Sequence, residues 1–123
     1  MADHNELGKT AENLAVTYLQ KNGYTILVRN FRFQKAEIDI IAEKNNLIII
    51  VEVKARSTDA FMLPQEAVTK TKIRSIVSAA DHYMQESGRQ EEVRFDVITV
   101  LPDEHKRLVV EHIIDAFEAF DAG

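Results

Sequence analysis

The amino-acid sequence predicts an α/β protein built on one mixed five-stranded sheet flanked by helices, in the order α-β-β-β-α-β-β. Three observations lead to that class. Two segments carry apolar residues at helical spacing, whereas five others alternate or run apolar over strand lengths. The composition, 46% apolar and 28% charged, is that of a globular chain. The 123 residues hold no internal repeat, low-complexity tract or linker, which gives one domain with a core of its own and loose ends at residues 1–5 and 121–123.

Residues 6–22 place Leu7, Ala11, Leu14, Ala15, Tyr18 and Leu19 on one stripe, and Gly23 stands at the C-cap position, so the first element is an amphipathic helix. Residues 24–28 form a short β-rich run. In residues 29–35, Arg29, Arg32 and Lys35 interleave with Phe31 and Phe33, which reads either as a basic surface or as an ordinary solvated loop. Residues 37–42 and 47–54 are two strands about Asn45-Asn46, residues that tolerate the positive φ of a tight hairpin. A second helix is expected over residues 69–87, with Ile73, Ile76, Val77, Ala80, Tyr83 and Met84 as its stripe. Residues 93–100 and 108–114 are the last strands, joined at Pro102-Asp103, and residues 115–120 are expected as a terminal helical turn. Phe117 and Phe120 in that turn would serve as a dimer contact or as a lid on the sheet.

The register of the hairpin over residues 37–54 carries the chemistry. A two-residue turn pairs Lys44 with Leu47, which sets Ala42 opposite Ile49, Ile40 opposite Val51 and Ile38 opposite Val53, and makes one face wholly apolar. The other face then holds Asp39 opposite Glu52 and Glu37 opposite Lys54, with cross-strand Cβ atoms roughly 4.5 to 5.5 Å apart. Two facing carboxylates repel unless a cation lies between them. Mg²⁺ meets that need, because it takes oxygen ligands, usually one or two carboxylates together with waters and phosphate. The absence of Cys excludes disulfides and thiolate metal sites, and His4, His82, His105 and His112 show no ligand spacing. Lys54 points to the same face as the pair, where an ammonium can orient or deprotonate a nucleophilic water and offset charge on a phosphate. Its competing role is ion-pair partner of Glu37.

Ile38-Asp39, twelve intervening residues and Glu52-Val53-Lys54 resemble the PD-(D/E)xK signature of restriction-endonuclease-like nucleases. A wider pattern resembles the YraN family of uncharacterised bacterial proteins over nearly the whole chain: Gly8 and Glu12, Asn30 and Arg32, residues 37–39 and 51–56, Ala67 with Lys72, and residues 94–96. That family is similar to archaeal Holliday-junction resolvases. Two residues depart from the pattern, Ile38 where the motif has Pro and Ala36 where the family usually has Gly. The resemblance implies a restriction-endonuclease-like core, Mg²⁺ or Mn²⁺ as cofactor and DNA, branched DNA included, as partner. It makes Asp39, Glu52 and the Val53 backbone carbonyl metal ligands, adds Glu12 as a helix-borne carboxylate near the metal, and gives Glu12, Asp39, Glu52 and Lys54 as the catalytic set. Helical geometry agrees for Glu12, which borders the buried stripe beside Leu19 and Gly8; its plainer role is a flanking carboxylate. Arg29, Arg32, Lys35, Arg56 and Lys72 are the candidate contacts to the DNA backbone, although Lys70, Lys72 and Arg74 equally fit a solvated helix start. Gln65 and Glu66 are read as helix-start residues or polar helpers of the site, and Asp96 as the structural partner of Arg94 on one strand face.

Charge narrows the function. The net charge of −5 speaks against a general nucleic-acid coat protein, yet it is uneven: residues 1–74 carry 11 bases and 9 acids, or +2, and residues 75–123 carry 4 bases and 11 acids, or −7. No apolar run reaches the roughly 18 residues of a membrane span, and the first six residues lack the basic start and apolar stretch of a signal peptide, so no membrane partner and a cytoplasmic location are expected. The function expected is a metal-dependent phosphodiesterase acting on DNA in recombination or repair, with a homodimer where junctions are resolved. The alternative is a catalytically silent DNA-binding or interaction module that keeps the nuclease fold.

Overall fold

The computed structural model describes residues 4–56 and 68–119; the expectations for Gln65, Glu66, Ala67 and Phe120 lie outside the described residues. The elements are α1 (His4–Lys21), β1 (Thr25–Phe33), β2 (Ala36–Lys44), β3 (Leu47–Ala55), α2 (Lys70–Ser87), β4 (Glu92–Pro102) and β5 (Leu108–Phe117). They make the predicted α/β arrangement, a five-stranded sheet in the order β1-β2-β3-β4-β5 with one helix on each face. The sheet is mixed: β3 and β4 run parallel, and the other neighbours are antiparallel. A parallel pair needs a long crossover, and α2 lies within it. Among the described residues no helix is long and apolar enough to cross a membrane.

The central strand shows why both faces must be covered. In β3, Ile49 and Val51 pack with Ala11, Ala15 and Leu19 of α1, whereas Ile48 and Ile50 pack with Ile73, Ile76 and Ala79 of α2. A strand buried on two sides reads as a continuous apolar run, as Leu47 to Val51 does. Burying a side chain such as the fully enclosed Leu19 contributes about 1.5–3 kcal/mol. Helix α2 is framed by its caps: the Thr69 hydroxyl accepts from the Lys72 N–H, and Gly88 takes φ 70°, which a residue without Cβ adopts at no steric cost.

The hairpin turn is as expected. Asn45 and Asn46 have φ of 51° and 65°, and the pairs Lys44–Leu47, Ala42–Ile49 and Ile40–Val51 all form. Past Ile40–Val51 the described pairing between β2 and β3 ends, and the outer part of β3 is paired with β4 instead, Glu52 with Val97 and Lys54 with Thr99. The expectation of one wholly apolar face is corrected here. Ile38 and Ile40 lie in different layers, Ile38 with α2 and Ile40 with α1. The cause is local backbone: Asn30 of β1 adopts φ 56° between the pairs Arg29–Ile40 and Phe31–Ile38, at the position across from Asp39, and alternation breaks at that point.

Two element boundaries also differ from expectation. Strand β1 does not end at Val28 but continues, after a bulge between Ile26 and Val28, through Phe33. Phe31 and Phe33 hold it there by packing on α2, Phe33 stacked on the His82 ring and Phe31 edge-on to Tyr83. Residues 115–117 are not a helical turn. They extend β5, because the Asp115 N–H donates to the buried Asp96 carboxylate at 3.0 Å and Phe117 stacks on Phe95. Phe117 is buried, so of its two expected roles the lid on the sheet is the one observed.

Candidate metal centre

The splayed ends of β2 and β3 open a cleft of about 510 Å³ against the first turns of α1. Gly8, Lys9 and Glu12 form one wall, Asn30 and Arg32 the rim, and Glu37, Asp39 and Val53 the floor. The break in alternation at Asn30 creates it, since a regular β2 would have continued its ladder with β3.

Asp39 stands in the gap, where its Oδ2 accepts the Val53 N–H at 2.8 Å, a hydrogen that an unbroken ladder would give to a backbone carbonyl. Its carboxyl also makes a hydrogen-bonded contact with Glu52, which is itself 4% exposed. Burial and the Glu52 charge push the Asp39 carboxyl up to about 7, against the lowering influence of the Val53 N–H and Lys72. Two ammonium groups approach Glu52 Oε1: Lys54 Nζ at 3.6 Å and Lys72 Nζ at 3.1 Å. Burial alone would lower Lys72, but the Glu52 charge and hydrogen bond, with Asp39 and Glu37 behind them, raise it above the ordinary lysine value.

The residues singled out by sequence therefore separate into groups. Asp39, Glu52, Val53 and Lys54 come together, although the hairpin pairing expected to set Asp39 opposite Glu52 ends at Ile40–Val51: Asp39 reaches the Val53 N–H, and Lys54 lies against Glu52. Glu37 is not opposite Lys54: it pairs with Arg32 at 3.0 Å, which the extension of β1 brings alongside, and Lys54 turns to Glu52. Glu12 lines the same cleft but its carboxylate is held by Arg29 at 3.3 Å, and Arg29 also donates to Asn13 at 2.7 Å. Among the described residues no three His, Asp or Glu side chains are grouped as a ready metal cage. Lys35 is not in the cleft; the β1–β2 turn places it at a groove of about 250 Å³ with Thr71, Arg74 and Ser75. The Arg56 N–H, just past β3, donates to the Val100 carbonyl.

Sequence reasoning placed Lys72 on the DNA backbone, and the structure puts it on Glu52. Lys72 stands in the first turn of α2 with 45% of its side chain exposed, so nothing in its sequence position pointed to a buried partner. Thr99, paired with Lys54, was also missed; it is buried, and its hydroxyl has no hydrogen-bond partner among the described residues.

The histidines are elsewhere. His112 Nε2 lies 2.7 Å from Asp96 Oδ2 and its Nδ1 lies 3.1 Å from the Tyr18 hydroxyl. Arg94 donates to both Asp96 oxygens, at 2.9 and 2.8 Å, and to the Tyr24 hydroxyl. Asp96 is thus structural, as expected. Burial would raise its carboxyl, but hydrogen bonds from His112, Arg94 and the Asp115 N–H hold it below the ordinary value.

Residues 11–100 match the uncharacterised protein family UPF0102. A UPF0102 protein of Flavobacterium psychrophilum is 50% identical over 120 residues, covering 98% of this chain and all of its own length. Another, of Bacteroides thetaiotaomicron, is 50% identical over 117 residues, covering 95% of this chain and 96% of its own, and one of Flavobacterium johnsoniae is 42% identical over 127 residues. Relatedness of this depth runs through α1, the cleft and β5 alike, in keeping with the expectation of an uncharacterised bacterial family. The chain belongs to the UPF0102 family.

Proposed function

We propose that the protein is a divalent-metal-dependent phosphodiesterase acting on DNA. The observation that carries this reading is the pairing of the half-buried Asp39 with the buried Glu52 at the open end of β3, with two lysines turned onto Glu52. A structural core gains nothing from two carboxylates in contact, one of them held up to about 7. The donor set fits a hard cation. It is all oxygen, it combines two acidic side chains with the Val53 carbonyl, and two of its three residues, Asp39 and Val53, line a wide cleft with room for waters and phosphate. The spacing of Asp39, Glu52 and Lys54 is that of the PD-(D/E)xK nucleases, and the order of helices and strands agrees with theirs.

Asp39, Glu52 and the Val53 carbonyl would hold Mg²⁺ or Mn²⁺, which supplies Lewis acidity toward the phosphoryl group and a nucleophile at neutral pH. The chain's own residues do the rest. The Val53 N–H fixes the Asp39 carboxylate at the floor of the cleft. Lys54, extending from the strand that carries Glu52, keeps an ammonium where negative charge grows on the phosphate. Lys9 and Arg32 at the cleft and Lys35 beyond the hairpin tip bind the sugar-phosphate backbone. Glu12 orders Arg29 against α1 and so shapes the wall.

The test is a cleavage panel over duplex, single-stranded, flap and four-way DNA with Mg²⁺, Mn²⁺ and Ca²⁺ in turn, with Asp39→Asn as control. Metal-dependent cutting by the parent and none by the variant is the expected result. A second reading, a DNA-binding module without activity, has one observation in its favour: Arg29 and Arg32 are already paired with Glu12 and Glu37. It predicts metal binding and DNA binding with no cleavage of any substrate in the panel.

A further inference from the structure

Lys72 occupies a place that a DNA contact does not need. Its Nζ lies 3.1 Å from Glu52 Oε1, nearer than Lys54, on a carboxylate whose side chain is 5% exposed. The two lysines also differ in how they are attached. Lys54 rises from the same strand as Glu52, two residues on, and shares its register with β4. Lys72 reaches across from the first turn of α2, and 45% of its side chain meets solvent. A four-carbon stem anchored on a neighbouring element, with an open side, can leave the carboxylate without disturbing the core. Glu52 needs a positive partner whatever else happens, because a buried carboxylate beside Asp39 is otherwise uncompensated.

We infer that Lys72 is a built-in counter-ion of Glu52 that a divalent cation displaces, releasing its ammonium for the phosphate of an incoming strand. The inference rests on the metal-dependent reading above. A divalent cation on Glu52 and an ammonium 3.1 Å from the same oxygen repel each other, and Lys72 is the partner with somewhere to go. Metal and DNA thereby favour one another through a residue that is a ligand to neither in the metal-free protein. By linkage, DNA that captures the released ammonium raises metal affinity by the same factor as metal raises DNA affinity.

Two measurements on the full chain test this without reading activity. In the first, surface amines are acylated with and without saturating Mn²⁺, and the rate at Lys72 is followed by mass spectrometry with Lys21 and Lys106, both exposed and outside the cleft, as internal references. Mn²⁺ is expected to speed Lys72 acylation severalfold and leave the references unchanged, while Glu52→Gln makes Lys72 reactive from the outset and indifferent to metal. In the second, Mn²⁺ is titrated calorimetrically without DNA. Lys72→Met is expected to bind about fivefold tighter or more, and Lys72→Arg to stay close to the parent. A parent that binds Mn²⁺ while Lys72 stays protected, with Lys72→Met binding no tighter, makes Lys72 a fixed structural pair and overturns the inference alone. A parent that binds neither Mn²⁺ nor Mg²⁺ overturns the metal-dependent reading and this inference with it. Should Lys72→Met fail to fold, the acylation of the parent decides.

Discussion

Asp39 and Asp96 are both carboxylates in one small sheet, yet they work in opposite directions. Burial and Glu52 raise Asp39 from 3.8 to about 7, so the folded protein binds a proton more tightly there than the unfolded chain does. As pH rises from about 4 to about 7 the unfolded state has already lost this proton, and metal-free stability falls across that window. Asp96 is lowered, and its contribution is full above the ordinary carboxylate value and lost as pH falls through the folded one. Asp39→Asn is expected to leave the metal-free melting temperature at pH 7 unchanged or a few degrees higher, since a like-charge contact costs about 0.2–1 kcal/mol, and to flatten the slope between pH 4 and 7. It also removes the rise in melting temperature that Mg²⁺ or Mn²⁺ produces, because that linkage goes with the ligand. A strongly destabilised Asp39→Asn together with a parent indifferent to both metals would mark Asp39 as structural. Lys54→Ala is expected to keep metal affinity, measured by calorimetry, and lose turnover; undiminished cutting would reduce Lys54 to a charge partner of Glu52. At this scale the nearness of Asp39 to Glu52 was legible from the hairpin, but the facing register was not, because alternation breaks at Asp39 and the ladder ends at Ile40–Val51. The partners of Glu37 and Lys72 were not, because they depend on how far β1 runs and on which side of α2 meets the sheet end.

The elements differ in how much of them is local. Helix α2 was readable at both ends, since Thr69 and Gly88 act on their own neighbours. Nothing lies within 4 Å of a Cβ built on Gly88, so Gly88→Ala is expected to cost only the left-handed backbone penalty, about 1–2 kcal/mol, measurable as a denaturation midpoint shifted without a change in slope. The ends of β1 and β5 were not readable, since distant partners set both: Phe33 rests on His82, forty-nine positions along, and Asp115 is pinned by Asp96. Strand β5 is held by that carboxylate as well as by Val110, Ile113, Ala116 and Phe117, while Leu108, Val109 and Ile114 are exposed. Asp96→Ala leaves Arg94 and His112 without their common acceptor and is expected to cost about 3–5 kcal/mol, read by denaturant unfolding. A loss below about 1 kcal/mol would mean that neighbouring groups or water take its place.

Across the whole molecule, the proposed DNA-binding role requires an acidic protein to confine its positive charge. Lys9, Arg32, Lys35 and Arg74 fall on the two sides of the β1–β2 tip, in the grooves of about 510 and 250 Å³. Arg32, 77% exposed and paired among the described residues with a partly exposed Glu37, can exchange that partner for a phosphate. Arg32→Ala is expected to weaken binding evenly across DNA sequences and to reduce the salt slope by about 1, measured by fluorescence anisotropy over a range of salt; an unchanged slope places the DNA path elsewhere. The topology has a kinetic side as well. Three of the four strand pairings join neighbours in sequence, and such hairpins close in about 1–10 μs. Only β3–β4 requires closing the chain across the crossover from Ala55 to Glu92, so that step sets the folding rate. The outer half of β3, bearing Glu52 and Lys54, takes its register from β4 and not from the hairpin. The two carboxylates are therefore fixed against each other only after that closure, so a cation held between them as proposed is expected to retard unfolding and leave the rate of folding unchanged, which stopped-flow measurements with and without Mg²⁺ would show.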